Sequence, residues 1–375
     1  MRHLRLGVAL AALAVPAALI PAAVQAQETT STIRGAVVDE QSKPIAGATV
    51  TIIHTPSGTR VVQTSGPGGE FNATGLRLGG PYSVTVEAPG FDAATDTLDN
   101  LTAGVPQRLE VMLAAMGKTI TVSAARQRSA ITISSGPATV LTAKEIAGVA
   151  TVSRDIRNLA ARSPYVSLDP TNGRGAINIL GQNNRFNRFT VDGIQFGDPF
   201  GLEAGGLASA RGPVPLDAIG EFSVEVTPVD IQQGFFQGGA INAQLKSGGN
   251  NFSATGFYTA IPQSLTGSRA RGGVAVPARP ESRNFGVQLT GPIIKDKLFF
   301  AVTWERLRDT TPALVDAATL NIPQSRVDQV NSIANSVYRY DAGDVADNIR
   351  ENDDKVVAKI DWNIADGHRA AFTYI

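Results

Sequence analysis

The C-terminal part of the chain contains three stretches in which apolar and polar residues alternate with a period of two. Successive side chains of a β-strand point to opposite faces, so each stretch predicts a strand with one apolar face and one polar face. The apolar positions are Phe285, Val287 and Leu289 in 284–291, Leu298, Phe300, Val302 and Trp304 in 297–307, and Val356, Ala358, Ile360, Trp362 and Ile364 in 355–364.

No charged residue lies between the apolar positions of these faces, and Arg306 follows Trp304 only at the end of the second stretch, whereas Lys355, Lys359 and Asp361 fall on the polar face of the last stretch. A Lys or Arg that faces lipid near the bilayer midplane costs about 2–4 kcal/mol, so exposure to lipid requires this absence of charge. The charged residues on the opposite face are compatible with a water-filled lumen. The pattern therefore favours strands that cross a membrane.

The connections between the stretches alternate in length. The connections 292–296 and 365–368 are short, whereas 308–354 is long and polar. Outer-membrane barrels alternate short periplasmic turns with long extracellular loops, so this order predicts a transmembrane antiparallel β-barrel. A soluble antiparallel sheet with one buried face produces the same alternation of residues and is the alternative.

The number of predicted strands indicates how much of a barrel the chain supplies. Strands begin near Phe252, Asn284, Lys297, Lys355 and Arg369. Bacterial single-chain barrels close with an even number of at least 8 strands. We therefore expect 251–375 to be the start of an incomplete barrel, with further strands after this segment.

Residues 1–26 have the features of a secretory signal peptide. Basic residues precede an apolar run at 6–20, and small residues suited to signal peptidase occupy 24–26. Pro16 and Pro21 flank or interrupt the run, which falls short of the ~20 apolar residues of a membrane-spanning helix. We expect this segment to be removed on export.

Composition excludes several kinds of chemistry. The chain has no cysteine, so it forms no disulfide and has no thiol-dependent metal or catalytic site. The 33 basic and 33 acidic residues give no electrostatic footprint for nucleic acid. The mean hydropathy of +0.00 does not argue against a barrel, because alternating strands keep the average low.

Residues 31–114 predict a small β-sandwich. Short strand-like segments are separated by turns rich in glycine and proline. A unit of ~80 residues is large enough to bury a modest core. The predicted strands are 32–38, 48–54, 60–63, 82–87 and 107–113.

Two motifs of this sandwich resemble the carboxypeptidase regulatory-like domain, a transthyretin-like accessory sandwich. They are IRGAVVD at 33–39 and PIAGATV at 44–50. A zinc carboxypeptidase needs clustered His and Glu ligands, yet the chain has only His3, His54 and His368. We therefore expect no enzyme, no catalytic residue, no metal site and no cofactor, and a structural or weak ligand-binding role for the sandwich.

Residues 137–250 carry the motifs with the most specific resemblance. The run NILGQNNRFNRFTVDG at 178–193 is similar to the plug of TonB-dependent outer-membrane receptors, and the later motifs follow in the order of that family. The resemblance implies an α+β domain inside a wide barrel, whose open lumen must be filled. The later motifs are PLDAI at 215–219, FSVEV at 222–226, the glycine-rich 234–239 and KSGG at 246–249.

Three further motifs are similar to the Oar-like branch of this family, which carries the sandwich ahead of the plug. They are GQNNRFN at 181–187, VTPVD at 226–230 and GPIIKDKLFF at 291–300. The chain departs from the family at 161–165, which replaces a leucine-proline-glycine motif, and at the arginine-glycine motif, represented at best by 174–175 or 180–181. The role of any single arginine in coupling is therefore open.

Two other interpretations of the plug motifs are weaker. The first is phosphate binding, but the glycine clusters of this region lack the Gly-Lys-Ser/Thr of a phosphate-binding loop. Asp192 and Asp198 flank glycines as in a calcium loop, but the remaining ligands are missing, so Asp192-Gly193 predicts a turn.

The linker 117–128 contains a short β-prone patch that resembles a TonB box. An exposed strand adds to the edge of a partner's sheet through backbone hydrogen bonds, with little demand on sequence. An ordinary linker strand is the alternative. The candidate TonB-binding residues are Thr119, Ile120, Thr121, Val122 and Ser123.

The resemblance implies a receptor in the outer membrane of a Gram-negative cell, with the domains ahead of the barrel in the periplasm or lumen. It implies that the receptor binds an extracellular solute and imports it with the proton-motive force of the inner membrane, relayed by TonB and its energising complex. The solute is a peptide, a polysaccharide fragment or a metal chelate, and its binding residues are not assigned. The alternative is a barrel in outer-membrane lipid that serves adhesion or surface assembly without energised transport.

Overall fold

The computed structural model describes 30–103, 106–116, 138–149, 151, 154–169, 175–198, 205–209, 211–226, 237–267, 280–312, 321–342, 348–365 and 368–375. The predicted signal peptide and the candidate TonB box at 119–123 lie outside the described residues. No helix in the described ranges combines the length and the apolar character needed to cross a membrane. The division of the chain into the predicted domains stays a proposal.

The sandwich, as described over 30–116, contains seven strands in two sheets of order β4-β1-β7 and β3-β2-β5-β6. Alternate residues face inward, so Tyr82, Val84 and Val86 of one strand are all buried. The two sheets share one hydrophobic core. The strands are β1 (Ser31–Asp39), β2 (Thr49–His54), β3 (Thr59–Thr64), β4 (Glu70–Leu76), β5 (Tyr82–Glu87), β6 (Ala94–Leu98) and β7 (Gln107–Leu113).

Two of these strands, β4 and β6, were not predicted from the sequence. In β4 the inward positions include the small Ala73, and Gly75 interrupts the strand-like composition. β6 has the sequence ATDTL, which is polar because it lies at the edge of its sheet. Pairing with β1 and β5, rather than intrinsic propensity, makes these segments strands.

The plug, described here as the ranges between Ala138 and Gly249, is built around a mixed sheet of order β12-β11-β14-β13-β8. Strands β11 and β14 are parallel, and the other pairs are antiparallel. Its elements are β8 (Ala138–Thr142), α1 (Ala143–Gly148), α2 (Ile156–Ala160), β9 (Val166–Asp169), β10 (Ala176–Ile179), β11 (Arg188–Val191), β12 (Ile194–Gln195), β13 (Ile219–Glu225) and β14 (Ala240–Leu245).

Helix caps position the two short helices of the plug. Thr142 accepts from the backbone N–H of Glu145, whose side chain accepts from the Thr142 backbone in return, so a capping box starts α1. Asp155 accepts from the backbone N–H of Arg157 at the start of α2. These helices cover the hydrophobic core through Ile146, Ile156 and other buried residues.

The C-terminal residues form an antiparallel meander in the order β15-β16-β17-β18-β19, called the barrel sheet below. Each strand pairs with the next along the chain, as in an up-and-down barrel. The mainly β fold class predicted from the sequence is confirmed. The elements are β15 (Ser253–Ile261), β16 (Glu281–Ile294), β17 (Leu298–Pro312), α3 (Gln324–Tyr338), β18 (Asn348–Ala365) and β19 (His368–Tyr374).

The two faces of the barrel sheet agree with the predicted alternation. In β16, Val287 and Leu289 are 40% and 48% exposed, whereas Asn284 and Gln288 are 2% and 4% exposed. The apolar residues therefore face outward, and the polar residues are covered by the rest of the molecule.

The connection between β17 and β18 is shorter than the predicted range 308–354. β17 continues to Pro312, β18 starts at Asn348, and α3 lies between them. The strand extension carries charge, and Asp354 pairs across the strands with Arg306 at 2.6 Å and with Arg308 at 2.7 Å. A strand that extends beyond the hydrocarbon layer needs no apolar face, so alternation gives no signal there.

Candidate functional site

The polar face of the barrel sheet packs against the plug. Gln288 Nε2 donates to the backbone oxygen of Asp217 at 2.6 Å, and Lys246 Nζ donates to Gln288 Oε1 at 3.2 Å. Buried polar groups require such partners. The face predicted to line the lumen is therefore the surface that holds the plug. Its buried polar residues are Asn284, Gln288, Thr303, Glu305, Lys355 and Asp361.

A glycine allows the end of the plug to approach the barrel sheet closely. A Cβ atom on Gly248 would lie 2.9 Å from the Gly291 backbone oxygen and 2.9 Å from the Phe299 Cβ. Such distances are too short for a side chain, so the backbone contact at this position requires glycine.

Arg154 joins the plug to two strands of the barrel sheet. Its Nη2 lies 2.7 Å from Asp217 Oδ2, and its Nε lies 3.9 Å from Glu305 Oε2 on β17. Its guanidinium carbon lies 3.6 Å from the ring centroid of Phe257 on β15, a cation–π contact. Asn284 Nδ2 donates to Glu305 Oε1 at 3.0 Å and thereby orients the carboxylate. One arginine thus contacts an acidic residue on each side of the interface.

Asp192 forms a second link between the plug and the barrel sheet. Its Oδ1 accepts from the Leu245 backbone N–H at 2.8 Å, and its Oδ2 accepts from Lys359 Nζ at 2.9 Å. Asp192 and Gly193 both have positive φ, 47° and 79°, in the two-residue turn that joins β11 and β12. The predicted Asp-Gly turn is confirmed. The described residues contain no group of three or more His, Asp and Glu side chains placed to hold a metal ion.

Arg211 forms a third link at the end of the barrel sheet that carries the long connections. It pairs with Asp309 of β17, and its Nε lies 3.7 Å from Glu351 Oε1 of β18. These three side chains are 14%, 16% and 20% exposed, so the network is only partly accessible to water.

A cleft of about 570 Å³ opens beside Arg211, between the plug and the barrel sheet. It lies at the end with the long connections, which are extracellular in outer-membrane barrels. Its lining combines hydroxyl, amide and charged groups with a few aliphatic side chains, and a solute site needs such convergent polar groups. The lining residues are Val149, Thr151, Asn158, Ala161, Arg162, Arg211, Ile261, Pro280, Glu281, Ser282, Asp309, Thr310 and Thr311.

The elements on either side of the candidate TonB box are described, although Thr119 to Ser123 are not. The sandwich is described to Met116, and the plug begins with β8 at Ala138. Within the described ranges, β8 is the edge strand of the plug sheet and pairs with β13 alone. The first described strand after the linker is therefore an edge strand.

Sequence reasoning located some residues of this interface and missed others. The period of two placed Lys355, Lys359 and Asp361 on the covered face, and the structure agrees. Arg154 and Arg211 were missed, because an arginine outside a regular pattern gives no sign of its partner. The arginine considered at 174 lies outside the described residues.

Comparisons with known proteins agree with this architecture. Residues 32–114 match the family model described as "Carboxypeptidase regulatory-like domain". The chain is 26% identical over 293 residues to the TonB-dependent transporter Oar of Myxococcus xanthus. The aligned region is 72% of this chain and 26% of that protein, so the chain spans about a quarter of the length of this curated relative.

Two solved structures are also similar. The siderophore receptor PirA from Acinetobacter baumannii is 21% identical, with a TM-score of 0.39, covering 61% of this chain and 29% of that chain. The outer membrane transporter YddB from Escherichia coli is 16% identical, with a TM-score of 0.44, covering 62% of this chain and 32% of that chain.

The chain therefore resembles TonB-dependent outer-membrane receptors. Within that class it resembles the Oar-like branch, with a carboxypeptidase regulatory-like domain at its N-terminal end. The likeness to Oar confirms the predicted outer-membrane localisation. The curated relative is a transporter rather than an enzyme, in agreement with the prediction that this chain is not an enzyme.

Proposed function

We propose that the full-length protein is an outer-membrane TonB-dependent receptor that binds an extracellular solute and imports it with energy relayed by TonB. The observation that carries this proposal is the plug, which is attached to the polar face of the barrel sheet through charged and hydrogen-bonded groups, with Val357 of β18 packed into the plug core. Arg154, Asp192 and Arg211 supply the ion pairs. When the plug moves, water can replace the partners of these charged and hydrogen-bonding groups. Newly exposed apolar surface, in contrast, would oppose the movement.

The proposed contact with TonB consists of Thr119, Ile120, Thr121, Val122 and Ser123. The outer membrane has no ATP, so import requires energy from the inner membrane. A β-prone patch between the sandwich and the plug suits strand addition to TonB. Because β8 follows the linker and lies at the edge of the plug sheet, force on the patch would reach the plug directly.

The proposed solute site is the cleft beside Arg211. Its mixture of charged, amide and hydroxyl groups suits a polar solute. Peptides, polysaccharide fragments and metal chelates remain the candidate classes. Carbohydrate binding in particular stays a prediction.

The proposal is tested with the full-length receptor carrying Ile120→Pro or Val122→Pro. Proline removes a backbone donor from the patch, so each variant should bind the periplasmic domain of TonB at least tenfold more weakly in calorimetry. Gln127→Pro, in the same linker but outside the patch, is the matched control and should bind normally.

Uptake provides the second measurement. The probe is the solute that the full-length receptor retains in a screen of peptides, polysaccharide fragments and metal chelates. Both patch variants should keep surface binding and lose energised uptake. Unchanged TonB binding and uptake in both variants would refute the assignment of the patch. A receptor that imports nothing and does not bind TonB would favour adhesion or surface assembly.

A further inference from the structure

The sandwich contacts the barrel sheet at the end that carries the short turns, called the short-turn end below. The contact involves the β2–β3 turn and the segment after β4 on the sandwich, and the β16–β17 turn with the end of β18 on the barrel sheet. In outer-membrane barrels this end faces the periplasm.

Arg77 is the centre of the contact. It belongs to the sandwich, is only 7% exposed, and donates from Nη2 to Asn363 Oδ1 of β18 at 2.8 Å. Its guanidinium carbon also lies 5.5 Å from the ring centroid of Phe299, which is fully buried. The Tyr82 hydroxyl donates to the Arg77 backbone oxygen at 2.7 Å and fixes the segment. A buried cation is costly without partners, and Asn363 and Phe299 of the barrel sheet supply partners for the Arg77 guanidinium.

A chain of hydrogen bonds runs from the sandwich core to the same asparagine. His54 Nδ1 and Ser57 Oγ are 2.7 Å apart, and Ser57 Oγ and Thr59 Oγ1 are 2.7 Å apart. Asn363 Nδ2 then donates to Thr59 Oγ1 at 3.1 Å and to the Asp296 backbone oxygen at 2.9 Å. Asn363 therefore connects the sandwich to the β16–β17 turn.

Backbone contacts complete the docking. The Asn250 N–H donates to the Pro56 oxygen at 2.7 Å, and Asn250 also bonds with its side chain to Asp296. Gly58 lies so close to Asp296 that a side chain would not fit without a shift. Arg369 of β19 donates to the Gly75 oxygen. The sandwich is thus held by both side chains and backbone.

The sandwich also contacts the plug. The Ala103 N–H donates to Glu221 Oε1 on β13 at 3.1 Å. Glu221 is 5% exposed and lies opposite Thr142 of the edge strand β8. β13, the neighbour of β8 in the plug sheet, is therefore hydrogen-bonded to the sandwich. β8 is the first described strand after the candidate TonB box.

We propose that the sandwich is a docked brace: it binds the short-turn end through Arg77 and Asn363, restrains the plug through Ala103 and Glu221, and must undock before the plug can move. The undocking step rests on the proposed transport function, whereas docking and restraint do not. The linker with the candidate TonB box joins the sandwich to the plug. A force that TonB applies to this linker would therefore act on the docked sandwich as well as on the plug.

Docking is tested by a disulfide in the full-length receptor, with any cysteine outside residues 1–375 replaced by serine, since residues 1–375 contain none. A Cβ on Gly249 would lie 3.5 Å from the Pro56 Cβ, within the range for a disulfide, but only 2.7 Å from the Pro56 backbone oxygen, so the two backbones must separate slightly to admit the bridge. Pro56→Cys with Gly249→Cys should cross-link on oxidation in isolated outer membranes, and adding Arg77→Ala should lower the yield several-fold. Pro56→Cys with Asn321→Cys, at the opposite end of the barrel sheet, is the matched control and should not cross-link. Equal yields from both pairs would overturn docking.

Restraint is tested by hydrogen exchange, which needs neither TonB nor a solute. The oxidised Pro56→Cys/Gly249→Cys receptor should exchange the amides of 219–225 more slowly than its reduced form. Glu221→Ala should raise their exchange at least tenfold, whereas Glu221→Gln, which keeps an acceptor oxygen, should remain near wild type. Exchange that does not respond to the disulfide or to Glu221→Ala would overturn the brace.

Undocking is tested by uptake of the solute found in the screen above. The oxidised double-cysteine receptor should bind TonB and the solute normally but import at least tenfold more slowly, and a reductant should restore import. Import at the wild-type rate with the disulfide intact would overturn the brace. Failure of the proposed function would be recognised separately, as unaltered TonB binding in the Ile120→Pro and Val122→Pro receptors.

Discussion

At the scale of single residues, a few charged side chains determine how firmly the plug is attached. Asp192 and Lys359 are 12% and 11% exposed, so their pair is poorly screened by water, whereas Arg306 and Asp354 are 43% and 42% exposed. The Asp192–Lys359 pair should therefore contribute more to the stability of the fold than the Arg306–Asp354 pair.

Asp192→Ala should loosen the plug. It leaves Lys359 without its carboxylate and the Leu245 N–H without its acceptor, so we expect a loss of about 3 kcal/mol in the free energy of plug unfolding. Urea titration of the full-length receptor in detergent measures this loss. Arg306→Ala is the control and should cost at most about 1 kcal/mol. Equal losses in both variants would show that burial does not strengthen the Asp192 pair.

Glu221 should make the stability of the plug depend on pH. Burial raises the pKa of Glu221 from 4.5 to about 7, and the hydrogen bond from the Ala103 N–H opposes this only in part. The folded plug thus retains a proton that the unfolded chain releases, so its stability should fall as the pH rises from about 4.5 to about 7 and level off above.

Urea titrations at pH 5 and pH 8 measure this dependence. Glu221→Gln cannot ionise and should lose the part of the pH dependence that comes from this group. A wild-type plug that is more stable at pH 8 than at pH 5, with no change in the variant, would contradict the assignment.

At the scale of secondary-structure elements, the strands of the barrel sheet have to satisfy lipid on one face and the plug on the other. Val287 lies in the middle of β16 and Ile294 lies at its short-turn end, paired with Leu298 of the apolar face, and both are exposed. The cost of a charge there depends on depth in the bilayer.

Val287→Arg should therefore impair membrane insertion more than Ile294→Arg. We expect about 2–4 kcal/mol for the first variant and about 0–1 kcal/mol for the second, in folding of the full-length receptor into lipid vesicles. The two substitutions on one strand control for each other. Equal costs would argue for a soluble sheet rather than a lipid-facing one.

The same scale shows where sequence patterns work and where they fail. Alternation located the apolar positions of β16, β17 and β18, because the period of two is a local property of the extended chain. Alternation missed β6, a polar edge strand that is defined by its pairing with β5. It also missed α3, which lies inside a connection. The polar ends of β17 and β18 were missed for a related reason, since they pair outside the alternating region.

At the scale of the whole molecule, each of the three units contacts the other two. The plug is held to the barrel sheet by ion pairs, the sandwich is docked at the short-turn end of the same sheet, and Ala103 of the sandwich bonds to Glu221 of the plug. The apolar exterior of the barrel sheet faces away from both units.

Cell fractionation checks this arrangement most directly. The full-length protein should be recovered from the outer-membrane fraction and be released by detergent but not by high salt, because apolar burial in lipid does not depend on screening of charge. Recovery of a folded, lipid-free protein from the periplasmic fraction would contradict the arrangement.

The order of amino acids alone was sufficient for the alternating faces, the turns and the resemblance to a receptor family, because each depends on neighbouring residues. It was not sufficient for the contacts that join the units. Asp192 meets Lys359 across 167 positions, and Arg77 meets Asn363 across 286 positions. Such partners are brought together only by the packing of complete units, since no local pattern links charges so far apart along the chain.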